Sequence, residues 1–316
     1  MKIRFWGTRG SIPAAMGARA LQRKLAQVLV ASAGHDVSSP ESAEAFLQTL
    51  PFEMSHTFGG NSSCVGVQAE GAGRVLFDMG SGARVAAGHA LQEQGGAPGE
   101  YHVFMSHLHW DHIMGFPFFT PAYIPGNKIH IYGCHAELEL AFRRQQDAPS
   151  FPVPFGLMGA QIDFTRLEPD RVYDIAGYSV LAKMQAHGGD SYGWRIERGG
   201  ASFVYSTDSE HKQDGADMHG FVQLFQGADV VVFDAMYSLA DAVSVKEDWG
   251  HSSNMVGVEL CQAAGAKHLV LFHHEPAYDD AMIARIWRET QRLEEITRGE
   301  RPLKITAAYD DLEIVI

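Results

Sequence analysis

The chain has 316 residues, 46% of them hydrophobic and 20% charged, with a formal net charge of −13. This balance excludes a disordered polyelectrolyte, and no apolar run approaches the roughly 20 residues that span a bilayer. It also argues against a long nucleic-acid partner, which needs a basic stripe: the basic clusters are small, Arg19 to Lys24 and Arg143-Arg144.

The opening Met1 to Gly7 carries no signal-peptide apolar region and reads as a strand (Lys2 to Phe5) and a turn. Three widely spaced cysteines, Cys64, Cys134 and Cys261, cannot complete a disulfide framework. They read as buried thiols in a reducing compartment, so a cytoplasmic location is expected. Residues 14 to about 54 break the strand rhythm. Ala15 to Val30 has helical spacing with Leu21, Leu25, Val28 and Leu29 on one side, and Ser39-Pro40 reads as an N-cap with proline at the first helical position. A second helix then runs to about Leu50. This helical insertion is expected to be a packed surface elaboration, with a lid or an oligomer contact as the alternatives.

Cys64 to Gln68 and Arg74 to Phe77 read as a hairpin around Glu70-Gly71-Ala72-Gly73, followed by a helix from Ala83 to Gln94 that stops at Gly95-Gly96. Tyr101 to Met105 and Ile129 to Tyr132 are strand-like, and Glu137 to Gln146 helical. Further strands are expected at Gln161 to Arg166, Ser179 to Lys183, Trp194 to Glu197 and Ser202 to Tyr205. Asp229 to Phe233 and Leu269 to Phe272 are continuous apolar runs, the pattern of strands buried on both faces. Helices at Met255 to Ala264 and Asp280 to Thr297 precede two closing strands. Strands and helices mixed throughout predict layered sheets covered by helices.

The chemistry concentrates in Ser106-His107-Leu108-His109-Trp110-Asp111-His112, directly after a strand-like segment. Imidazole nitrogen and carboxylate oxygen are the usual ligands of zinc and similar ions. A strand ending in His-x-His points both rings to one side, and Asp111 and His112 follow within reach of a second ion. Two ions need more ligands. His187, Asp208 and His273 each end a later apolar run, and a carboxylate at 208 can bridge two cations. His274 competes with His273 for the same place. Asp78 and Ser106 are positioned either to orient ligand rings or to satisfy backbone donors.

These motifs resemble the metallo-β-lactamase fold metallohydrolases, in their RNase Z-like and cyclic-nucleotide phosphodiesterase branch. The likeness runs from Phe5-Trp6-Gly7-Thr8-Arg9-Gly10-Ser11-Ile12-Pro13, through Phe58-Gly59-Gly60-Asn61-Ser62-Ser63-Cys64 and Phe77-Asp78-Met79-Gly80-Ser81-Gly82, to Leu271-Phe272-His273-His274. It implies an α/β (α+β) fold, a four-layer αβ/βα sandwich, as one domain over 1–316 with the helical insertion. It implies that His107, His109 and His187 hold one divalent metal ion, that Asp111, His112 and His273 hold a second, and that Asp208 bridges them. Zinc, manganese and iron all accept such ligands. Where many relatives have Asn-His-Pro, this chain has Gln185-Ala186-His187-Gly188. The resemblance further implies that Asp234 orients His251 as general acid.

The expected activity is hydrolysis of a small phosphodiester, a cyclic nucleotide above all, by a metal-bridging hydroxide, with Asp111, Asp208, Asp234 and His251 as catalytic residues. An RNase Z-like endoribonuclease, or a lactone or thioester hydrolase of the same fold, are the alternatives. Phe116, Phe118, Phe119 and Tyr123 follow the cluster and either stack on a base or pack in the core. A homodimer is the expected assembly, as the commonest one.

Overall fold

The computed structural model describes residues 1–210, 216–236 and 252–316. Two seven-stranded sheets form the centre. In the first, β1 (Lys2–Gly7), β2 (Cys64–Gln68), β3 (Arg74–Phe77), β4 (Glu100–Phe104), β5 (Lys128–Gly133) and β6 (Gln161–Arg166) lie side by side in chain order, and β14 (Glu313–Val315) pairs outside β1. In the second, β7 (Val172–Ile175), β8 (Tyr178–Gln185), β9 (Ser191–Arg198), β10 (Ala201–Ser206), β11 (Val230–Asp234), β12 (His268–Phe272) and β13 (Lys304–Ala307) also follow chain order. Each sheet begins with antiparallel pairs and continues with parallel ones: β3 to β6 in the first, β10 to β13 in the second.

Side-chain alternation explains why the sheets stack. Val75, Phe77 and Phe104 of the first sheet meet Trp194, Phe203, Tyr205 and Phe272 of the second in the central core. The intervening Leu76, Tyr101 and Val103 face outward onto α4 (Ala83–Gln94) and α6 (Leu138–Gln145). In β11, Val230 and Val232 enter the central core, while Val231 and Phe233 meet α7 (Ala216–Phe225) and α8 (Asn254–Ala264). Strands buried on both faces are what the continuous apolar runs predicted. The result is a four-layer αβ/βα sandwich.

Three helices, α1 (Ala18–Ala31), α2 (Pro40–Leu47) and α3 (Phe52–Ser55), lie between β1 and β2 in the chain, and those strands pair directly with each other. Ser39 caps α2 as expected, accepting from Ser42 N with Pro40 at the first turn. The apolar side expected of α1 is not buried. Leu21, Leu25 and Leu29 are exposed, because α1 meets the rest of the chain elsewhere: Lys24 pairs with Asp280, the first residue of α9 (Asp280–Thr297). Ser253 is the N-cap of α8 by backbone geometry, but its side chain makes no capping hydrogen bond. Among the described residues, no helix is long and apolar enough to cross a membrane.

Candidate metal centre

Open α/β sheets place their chemistry at the carboxyl ends of parallel strands. Here both sheets do so toward one another. Asp78 follows β3, the 106–112 turn follows β4, Asp208 follows β10, Asp234 ends β11 and His273 follows β12. His187 follows β8, whose neighbour β9 carries Trp194, and the Trp194 indole donates to Met105 O at 3.1 Å. Asp78, Asp208 and His273 all have left-handed backbone, with φ of 58°, 52° and 59°. Asp and His tolerate that region better than most residues, yet it still costs about 1 kcal/mol or more each and persists only where the surroundings enforce it.

The structure brings all seven expected ligands together. The donor atoms form three groups, each within 4.8 Å: His107, His109 and His187; His107, His112 and Asp208; Asp111, His112 and His273. Asp208 divides its oxygens between the two ends. Its Oδ1 lies 3.8 Å from His107 Nε2 and 3.9 Å from His187 Nε2, and its Oδ2 lies 3.3 Å from both His112 Nε2 and His273 Nε2. His274 is excluded from the cluster. Its ring is buried, Nε2 donates to Ala308 O at 2.8 Å, and burial pushes its pKa down to about 3.

The donor set fits two divalent cations. His107 Nε2 and Asp111 Oδ2 are buried and have no hydrogen-bond partner, which is costly unless a cation completes them. His112 Nε2 and His273 Nε2 face each other at 3.4 Å, and His187 Nε2 and His109 Nδ1 at 3.1 Å. Burial holds His107 well below the ordinary imidazole range and lowers His109 as well. Burial opposes ionisation of Asp208 and Asp111, but surrounding imidazoles, His273 and His112 for Asp208 and His112 for Asp111, hold both below the carboxylate range. Neutral imidazoles and ionised carboxylates are the forms that bind a metal. His112 is the exception: burial opposes its charge, but Asp111, Asp208 and Asp78 raise its pKa well above the usual value. Three carboxylates around one ring call for positive charge, which a divalent cation supplies more fully than a proton.

Outer contacts fix these rings. Asp78 Oδ2 accepts from His112 Nδ1 at 2.7 Å, from Ser106 Oγ at 2.7 Å and from Tyr205 OH at 2.9 Å, while Oδ1 accepts from Ser106 N at 2.8 Å. Asp78 therefore both orients the His112 ring and satisfies a backbone donor, while Ser106 Oγ lies 3.0 Å from His107 Nδ1 and orients that ring. On the other side, the Gln185 amide donates to Thr207 O at 2.7 Å and to Ser191 Oγ at 3.2 Å, tying the strand before His187 to the one before Asp208. Gln185, two residues before His187, thus has supporting contacts of its own. Gly10 leaves room for the last ligand, since a Cβ there would lie 2.5 Å from His273 Nδ1.

Asp234 is buried at the end of β11; its Oδ1 accepts from Met236 N at 3.0 Å and lies 4.0 Å from His273 Nδ1. His251, its expected partner, lies outside the described residues. Of the four aromatics expected to stack or pack, Phe116 and Phe119 are fully buried, and Tyr123 is half-buried with its hydroxyl donating to Pro117 O at 2.7 Å. Only Phe118 is exposed.

A beta-lactamase superfamily domain is matched over residues 73–274, well over half of the chain. The chain belongs to this superfamily. The same fold is found in the metallo-beta-lactamase fold protein YhfI from Bacillus subtilis. It is 17% identical, superimposes with a TM-score of 0.63, and covers 99% of this chain and 98% of its own. Among superfamily relatives, a ribonuclease Z of Geobacillus kaustophilus is 25% identical over 231 residues, 56% of this chain and 71% of that protein. A ribonuclease Z of Trichodesmium erythraeum is 39% identical over 79 residues, which span a quarter of this chain and 22% of that protein. Membership makes the chain a metal-dependent hydrolase.

Proposed function

We propose that this protein, in one domain spanning residues 1–316, is a dinuclear phosphodiesterase acting on small phosphodiesters such as cyclic nucleotides. One observation carries the reading: Asp208 presents one oxygen to His107 and His187 and the other to His112 and His273. That is the geometry of a carboxylate between two cation positions. His107, His109 and His187 would hold one ion, and Asp111, His112 and His273 the other. Bound cations at these positions would activate a water and neutralise the nonbridging oxygens of a phosphodiester.

The residues of the chain supply the rest. Asp78 and Ser106 hold the rings of His112 and His107 in register. A departing alkoxide needs a proton as the P–O bond breaks, and His251, supported by Asp234, is assigned that role. Ser252, the next residue, donates to Ser209 O at 2.5 Å, one position after Asp208. Relatives named ribonuclease favour a phosphodiester substrate over a lactone, and they are weakly at odds with the expectation against a nucleic-acid partner. The net charge of −13 supports the small substrate.

The test is a parallel assay of bis-p-nitrophenyl phosphate, cyclic mononucleotides, cyclic dinucleotides and precursor tRNA with manganese and with zinc. Hydrolysis of the small diesters is expected. Cleavage of precursor tRNA alone would replace this reading with the endoribonuclease one. His251→Ala should slow diester hydrolysis by about 100-fold or more with metal content unchanged; an unaltered rate removes the general-acid assignment.

A further inference from the structure

Among the described residues, the cluster is open on one side. The side chains of His107, His112 and His187 are buried, whereas His109 is exposed, so a substrate reaches the donor atoms past the His109 ring. The wall facing them from the second sheet, Gly188-Gly189-Asp190, is exposed as well and offers no aromatic or apolar side chain. On the wall of the first sheet stands Trp110, between His109 and Asp111 in the chain.

Trp110 is 63% exposed, and among the described residues its indole stacks on no other ring and meets no cation. The other described tryptophans behave differently: Trp194 is fully buried, Trp6 is nearly so beneath the Arg4 guanidinium at 4.4 Å, and Trp287 is half-buried with its indole donating to Ile305 O at 3.0 Å. Leaving an indole in water forgoes its large burial energy, and most such side chains are covered. Packing does not explain its place, because Ile113 and Phe116 of the same turn fill the core beneath it. One peptide link, about 3.8 Å between Cα atoms, separates Trp110 from a candidate ligand on either side, His109 and Asp111. A ring joined through a short linker to a phosphate at the cluster would therefore come to rest on it.

We propose that Trp110 is the stacking platform for an aromatic ring, a nucleobase in particular, carried on one ester oxygen of the substrate. The inference rests on the phosphodiesterase reading and adds the substrate class. A single platform at the lip, among the described residues, suits one base of a small nucleotide. A long single strand would need successive stacking rings along a basic groove. Phe118, 56% exposed and edge-on to Phe151 at 5.7 Å, is already partnered and is not required.

Binding of adenosine 5′-monophosphate and ribose 5-phosphate to the metal-loaded protein tests the proposal. The two share the phosphate and differ in the base. The wild type should bind the nucleotide at least about fivefold tighter, with a change in tryptophan fluorescence, as base–aromatic stacking provides. Trp110→Ala should lose that preference while its affinity for ribose 5-phosphate stays within twofold, and Trp110→Phe should keep most of the preference without the fluorescence change. Equal binding of the two ligands by the wild type, or an undiminished preference in Trp110→Ala, overturns the proposal. Bis-p-nitrophenyl phosphate hydrolysis by the same samples separates the two readings. Turnover without base preference removes the platform and keeps the phosphodiesterase; base preference lost in Trp110→Ala without any turnover does the reverse.

Discussion

Asp78 collects four hydrogen bonds from both sheets, and each has a different weight. Its bond to His112 Nδ1 fixes which imidazole nitrogen faces the cluster, so Asp78→Asn should weaken metal binding by about 10- to 100-fold in a chelator-competition titration. Tyr205→Phe removes only one donor and should cost less than tenfold in the same titration. Asp78 was legible because it directly follows a strand-like run, Arg74 to Phe77. Tyr205 was not, since a tyrosine within an apolar strand reads as core, and its hydroxyl contact spans 127 residues. Trp110 escaped for a similar reason: spacing places it among ligands, but only the folded turn shows which way it points. Away from the centre, burial and Lys304 push His268 down to about 4, below its ordinary 6.5. The unfolded chain then binds the proton first as pH falls, so stability is lost below about pH 6.5 and the loss is complete near pH 4. The contribution is about 2 kcal/mol between pH 7.5 and pH 5. Urea denaturation at both pH values should show a smaller difference for His268→Gln than for the wild type.

Strands and helices with strong patterns were legible nearly to the residue: β2, β3, β6, α4 and α9 match their expected limits. The edge strand β7 was missed because its four residues alternate between exposed and half-buried, too short a pattern to stand out. Helix α7 was missed because Gly220 and the run Phe221 to Phe225 do not favour a helix by propensity; packing of Phe221, Leu224 and Phe225 on the second sheet decides it. For α1 the periodicity was right, and its apolar side is exposed. Its attachment is a cation, Lys24, on Asp280, which also accepts from Thr57 Oγ1 and Phe58 N at 3.1 Å. Lys24→Met should cost about 2 kcal/mol, less than for a fully buried pair, and should speed proteolytic cleavage between α1 and α2. Retained resistance to protease would mean that α1 is held by other contacts. The turn after β1 is a second element-scale constraint, since Gly10 lies against His273. Gly10→Ala should lower affinity at the Asp111, His112 and His273 end more than at the other, measured as loss of one metal equivalent before the second.

At the scale of the molecule, the ligands divide between the sheets. His107, His109, Asp111 and His112 come from the first; His187, Asp208 and His273 come from the second. Cations held between them would staple the sandwich at one end. Chelation should therefore lower the melting temperature by about 5 to 10 °C, and a variant without Asp208 should show almost no such shift. The mixed order of elements made the layered architecture legible in the sequence. The facing of the two sheets was not, because it depends on side chains such as Phe77 and Phe203, 126 positions apart in the sequence but with ring centroids 5.4 Å apart.

The shared direction of the parallel strands gives the sandwich two unlike poles. All described chemistry lies where those strands finish, and the stacked His102 and His130, 5.0 Å apart, lie near where β4 and β5 begin. Change can accumulate at the starting pole with only the fold to satisfy, while the finishing pole answers to fold and reaction together. A chain built this way can acquire new surfaces at one end without renegotiating its catalyst at the other.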